Sequence, residues 1–264
     1  MQALPGAKSQ PLNHELQTEA APVTKQMAGW SPRFKARVAG VLYALEGTGA
    51  VFGGVYFRSK FLVSGNAAAT AAAIRANESL FWAAVAAALL AVAFHLAYTV
   101  LFYDLFRLVN RSVALLAAFI SVVACALQAG AALFQVAAWL VVGGGNSVNA
   151  FTGEQAQNLA FLVLNVNVSA FDIYLIFFGF WLLPTGYLIL RSTFFPRVIG
   201  VFLMLDGVGW VTYLVPPFAN SIYPVIAIVS ALGEIPLLLW LLAVGVNSER
   251  WKEQEGRAGA LPGV

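Results

Sequence analysis

A disulfide needs two cysteines, and this chain of 264 residues has one, Cys125, set inside an apolar run. That single thiol excludes an intrachain disulfide and any metal site built on several thiolates. In such surroundings it reads as a small packing residue. Histidine is nearly as scarce: His14 lies in a polar N-terminal segment and His95 in an apolar one, so histidines cannot hold a haem from both faces. No paired-histidine, aspartate-rich, G-x-S-x-G or zinc-ligand pattern is present, and neither a cofactor nor a metal is expected. Charge is thin as well. Asp, Glu, Lys and Arg make up 10% of the chain against 60% hydrophobic residues, a balance that excludes a soluble domain. The isoelectric point is near 9.1, but the bases stand singly at the ends of apolar runs and form no stripe. Nucleic acid is therefore not an expected partner.

What the chain does have is apolar length. Six runs, at 38–57, 80–103, 113–142, 159–190, 198–215 and 223–246, are long enough to cross a hydrocarbon core of ~30 Å. The expected fold is all-α, a polytopic membrane helix bundle of six transmembrane helices. Residues 1–34 read as a flexible cytoplasmic tail without a cleavable signal, 35–247 as the transmembrane domain and 248–264 as a second cytoplasmic tail. Twelve of the 15 bases fall in the two tails and the two loops that share their side, leaving Arg58, Lys60 and Arg75 opposite. The positive-inside rule then places both termini in the cytoplasm of a multi-pass protein of the cell's inner membrane. Between the first two runs, 65–75 reads as a short surface helix. Thr152 and Gln155 have capping-box spacing, and Gly143 to Gly145 before them read as a turn.

One segment occurs twice. Arg37-Val38-Ala39-Gly40-Val41-Leu42-Tyr43-Ala44-Leu45-Glu46-Gly47-Thr48-Gly49 returns as Arg197-Val198-Ile199-Gly200-Val201-Phe202-Leu203-Met204-Leu205-Asp206-Gly207-Val208-Gly209. At ~1.5 Å of rise per residue, each acid lies roughly 13 Å inside the interface marked by its arginine. Because the first and fifth spans run the same way, this is a parallel internal repeat of helix 1 and helix 5. Gly40, Gly47 and Gly49, with Gly200, Gly207 and Gly209, are expected to bring these two helices together.

Intramembrane polar groups are the candidate site: Glu46, His95, Asp172, Asp206 and Glu234. A central charge costs ~2.5 to 3.5 kcal/mol on insertion scales, so acids without a basic partner face a wet cavity, share protons or stay neutral. Glu234 precedes Pro236, which frees the Leu232 carbonyl, and the pair reads either as the start of a broken-helix site or as a proline kink with a neutral Glu bonded to a neighbouring helix. Gln128 and Gln135, and likewise Asn165 and Asp172, are seven apart and mark polar stripes turned inward. Trp30, Trp139, Trp210 and Trp251 read as an interfacial belt.

Several stretches resemble a bacterial multi-pass membrane family known as domain of unknown function 4386. They are Arg37 to Tyr43; Gly65 to Thr70 with Ile74; Phe177-Phe178-Gly179; Gly186-Tyr187 with Arg191-Ser192; Pro196-Arg197 with Gly200; and Gly233-Glu234 with Leu239-Trp240-Leu241. The resemblance implies a fold and a location and carries no catalytic residue. Three functions remain open: a small-solute or ion carrier with proton-titrating acids, a non-catalytic structural or sensory protein, and an intramembrane enzyme. The expected partners are the lipid bilayer, a small solute or ion, and a second copy of the chain.

Overall fold

The computed structural model describes residues 29–143 and 151–259, which leaves most of the expected N-terminal tail and the Gly144-Gly145 turn outside the described residues. Ser31 caps the first helix by accepting from the Phe34 N–H at 3.2 Å, with Pro32 in the first turn where its missing donor costs nothing. That helix, α1 (Pro32–Ala50), continues through a π-helical segment, Val51–Tyr56, into α2 (Phe57–Phe61). The expected surface helix is α3 (Ala67–Ala76), started by Asn66, whose side chain accepts from the Ala69 N–H at 2.9 Å. Two long helices follow, α4 (Glu78–Phe106) and α5 (Arg111–Val142). Next is α6 (Gly153–Arg191), which opens with the full Thr152–Gln155 capping box. After it come α7 (Arg197–Val211) with a 3-10 turn at Thr212–Leu214, α8 (Pro216–Ser221), α9 (Tyr223–Ala243) and α10 (Ser248–Gly259). No strand occurs among the described residues. Six of these segments are long and apolar enough to cross a membrane: Pro32–Phe61, α4, α5, α6, Arg197–Leu214 and α9.

The six spans form a closed ring in chain order. Each packs on its successor, from α1 on α4 through α5, α6 and α7 to α9, and α9 packs back on α1. At one end, here the terminal end, the start of α1 meets α10. Arg33 and Arg37 donate to the Val244 and Ala243 carbonyls at the end of α9, satisfying acceptors a helix C-terminus leaves free. The chain leaves α9 through Gly245 at φ +72, a left-handed conformation that side chains resist, with the Arg33 carbonyl 3.0 Å from where a Cβ would stand. Lys35 is ion-paired to Asp104, which also accepts from Arg107 at 3.0 Å. Trp251 is buried and donates to the Leu105 carbonyl at 3.2 Å, so the expected C-terminal tail begins as a docked helix and Trp251 belongs to no belt. At the opposite, far end Phe57, Phe61, Ile74 and Phe81 pack together between neighbouring helices, with Arg75 donating to the Val142 carbonyl at 2.8 Å.

The expected approach of helix 1 to helix 5 is corrected. α9 stands between α1 and α7 and packs on both. Gly40 lies against Leu241 of α9, and Gly49 against Ala87 and Ala91 of α4. Gly200 and Gly207 face Gly186 and Gly179 of α6 in an antiparallel seam, while Gly209 meets Ile226 of α9. The glycines do allow close helix packing, as small residues in membranes do, but each serves a neighbour in the ring. Gly47 has nothing within 4 Å of a Cβ position.

Candidate functional site

A ring of six helices leaves an interior, and the two halves of this one are filled differently. Toward the terminal end it is packed with aromatic rings. Trp181 lies 5.8 Å from Tyr98 and 6.1 Å from Phe102 between centroids, and Phe106 packs on Phe194 and Phe195. The void beside them is about 10 Å³. Toward the far end the interior is open, with a cavity of about 560 Å³ that reaches Arg58, Ser59, Asn220 and Tyr223. The cavity is therefore blind at the aromatic plug.

Two local features shape its walls. The π-helical turn is sustained where Gly53 backs onto α4 so closely that a Cβ would stand 2.7 Å from the Ala88 nitrogen. A π-turn displaces backbone from the regular ladder, and here the Gly53 carbonyl accepts from Gln135 Nε2 at 2.9 Å. Gln128 and Gln135 both line the cavity, as their spacing predicts. The second polar stripe is corrected. Asn165 faces outward and bonds the Phe161 carbonyl of its own helix, while Asn167 is buried, lines the cavity and donates to the Ala131 carbonyl at 2.7 Å.

The structure brings four of the five candidate groups together. Glu46 and Glu234 line the cavity, from α1 and α9. Tyr43, one turn before Glu46, crosses to α9 and donates to Glu234 Oε2 at 2.8 Å. Behind Glu234 lies Asp206, fully buried on α7 and near the Glu234 carboxyl, its Oδ2 without a hydrogen-bond partner. Ser230 donates to Asp206 Oδ1. Behind Glu46 lies His95, fully buried, its Nδ1 3.7 Å from Glu46 Oε1, too far for a direct bond. The imidazole stacks on Tyr98 at 4.6 Å and meets Trp181 edge-on at 5.4 Å, and neither ring nitrogen has a partner. Asp172 is the fifth. It also lines the cavity, but near the mouth beside Arg58 and apart from the other acids.

Three contributors escaped the sequence reading, and each sits one helical turn from an acid: Tyr43 before Glu46, Trp210 after Asp206, and Ser230 before Glu234. That spacing is the signal that finds them. Trp210 lines the cavity and is not part of a belt. Pro236 does not break α9, which runs unbroken from Tyr223 to Ala243, so no broken-helix site forms. Among the described residues no group of His, Cys, Asp and Glu could hold a metal ion. The chemistry available is that of proton storage and hydrogen bonding. Asp206 and Glu234 set two carboxyls near each other, and a third acid, Glu46, has no hydrogen-bond donor among the described residues.

No curated protein and no solved structure matches the chain. A family model does, over residues 38–245, which takes in all six spans apart from the first six residues of α1. The chain is a multi-pass membrane protein that belongs to the family described as domain of unknown function DUF4386.

Proposed function

We propose that this protein carries a small solute across the inner membrane, with Glu46, Glu234 and the groups behind them binding the solute or its coupled proton. The observation that carries the reading is that the intramembrane acids converge on one cavity, open toward one end and stopped by an aromatic plug. Acids dispersed among separate helix contacts would instead have favoured a structural role. A blind cavity about halfway through the bundle is one state of an alternating-access cycle. The base distribution supports a cytoplasmic terminal end and a far end facing outward, and reporter fusions at Gly65 and at the C-terminus test it by reading opposite sides. We also read α1 and α7 as parallel copies placed on either side of α9, an arrangement that would put Glu46 and Asp206 beside Glu234 from two directions.

Thiol accessibility tests the carrier without knowledge of the solute. In a Cys125→Ser background, Ala132→Cys places a thiol in the cavity and Ala117→Cys one in the void behind the plug. A membrane-impermeant maleimide should label the first from the far side. It should label the second slowly from the terminal side, the two rates shifting in opposite directions as pH moves from mildly acidic to mildly alkaline. An Ala117→Cys thiol that stays unreactive in membranes at every pH, yet reacts after denaturation, overturns the carrier and leaves a fixed binding pocket of the sensory kind.

A further inference from the structure

We propose that the occupant of this cavity is a primary ammonium ion with an apolar, ring-sized body. The inference rests on the cavity being the solute site, and it names the class of solute.

The donor and acceptor inventory of the inner wall decides the charge. Gln128 is 3% exposed, lines the cavity, and has no partner for either its oxygen or its nitrogen. Gln135 gives its nitrogen to Gly53, and its oxygen has none. Glu46 offers two further acceptor oxygens with no hydrogen-bond donor among the described residues. Against these acceptors stand two cavity-lining donors without partners, the Gln128 amide nitrogen and the Trp210 indole N–H, and the balance still favours acceptors, one of them a carboxyl. An ammonium head supplies three donors and no acceptor. The Glu46 carboxyl and the unanswered amide oxygens of the lining are acceptors it can meet, and a buried polar atom left unanswered is costly.

The other walls set the body. Phe171, Tyr174, Leu175, Phe178 and Trp210 present rings and an aliphatic side chain to the same space, a surface that accepts an apolar body and adds attraction for the cation. A volume of about 560 Å³ falls within the ~300 to 1,000 Å³ of small-molecule pockets, far beyond the needs of a bare metal ion. Anions are disfavoured. Among the described residues the one base in the lining is Arg58, at the mouth, where Asp172 also lines the cavity.

The test uses the full chain, purified in lipid nanodiscs, and three probes that share a body: 2-phenylethylamine, 2-phenylethanol and 3-phenylpropionate. Calorimetry should show saturable binding of the amine at least about tenfold tighter than of the alcohol or the acid, the ordinary worth of a charge-assisted hydrogen bond. Glu46→Gln and Gln128→Leu should each weaken the amine by about tenfold or more, while Glu78→Gln, an exposed acid at the start of α4, should change nothing. If Glu46→Gln does not fold, Gly47→Leu, which fills the space found beside Gly47, should abolish binding. Equal binding of alcohol and amine, or full affinity in folded Gln128→Leu, overturns the ammonium. The two proposals fail separately. Ammonium binding with no change in thiol accessibility retains the solute class and removes the carrier, and changing accessibility without ammonium binding does the reverse.

Discussion

Gly47 and Gly207 occupy the same place in the repeated segment, and the structure predicts opposite outcomes when each becomes alanine. At Gly47 the new methyl group meets nothing within 4 Å. The variant then gains only what alanine offers over glycine inside a helix, about 0.5 to 1 kcal/mol. At Gly207 the same methyl carbon would stand 2.7 Å from the Gly179 carbonyl oxygen, and ordinary contact begins at 3.4 Å, so α6 and α7 must part by about 0.7 Å. The obstacle is backbone and cannot rotate away. Gly200 against Gly186, one heptad along the same seam, holds the helices at the short distance and prevents easy relief. Overpacking of this kind costs about 1 to 3 kcal/mol, and because the alanine gain is common to both variants, that cost is what sets them apart. Unfolding in mixed micelles with increasing SDS, followed by circular dichroism, measures the difference. Gly47→Ala should unfold at higher SDS than the parent protein and Gly207→Ala at lower. Shifts of the same sign and size would refute the reading that the repeat has been put to two different uses.

The carboxyl pair makes a second prediction. At neutral pH the infrared spectrum should contain a protonated-carboxyl stretch that is lost in the Asp206→Asn, Glu234→Gln double variant, whereas Asp206→Lys should fail to assemble, since nothing around it answers a cation except the acid it disturbs. Asp104→Ala should destabilise by about 1 to 3 kcal/mol, short of the 3 to 5 of a deeply buried pair because Asp104 is partly exposed, and Lys35→Met with Asp104→Leu should recover most of the loss. Trp251→Ala, removing a buried ring and its bond to Leu105, should release α10 so that trypsin cuts at Lys252 and Arg257 while the bundle stays intact. Unchanged protease resistance would show that Gln254, which Thr193 binds at 3.0 Å, holds α10 by itself.

The spans were legible because a bilayer demands apolar length, and the acids because it penalises charge. Gln128 and Gln135 were legible by their heptad spacing. What the sequence could not show is which neighbour a residue faces. Asn165 and Asn167 are two positions apart on one helix, nearly opposite in angle, and spacing from Asp172 selected the outward one; Asp172 itself lies at the cavity mouth, a poor guide to the inward face. Glycine patterns report that something approaches closely without naming it. Gly200 and Gly207 therefore suggested Gly40 and Gly47, when their counterparts are Gly186 and Gly179. The proline at 236 misled because an α-helix can lose one hydrogen bond without breaking.

Ring closure in chain order has a consequence for biogenesis. The span that carries Ser230 and Glu234 is the sixth to leave the ribosome, and until it inserts, Tyr43 on the first span and Asp206 on the fifth lack the hydrogen-bond partners they have in the finished protein. The growing chain must hold those polar side chains in the insertion machinery or against lipid for the whole of synthesis. A chain stopped before α9 then leaves Tyr43 and Asp206 without those partners in an otherwise apolar flank, where an unanswered polar group is costly. Completion of the last helix works as the molecule's own proofreading step.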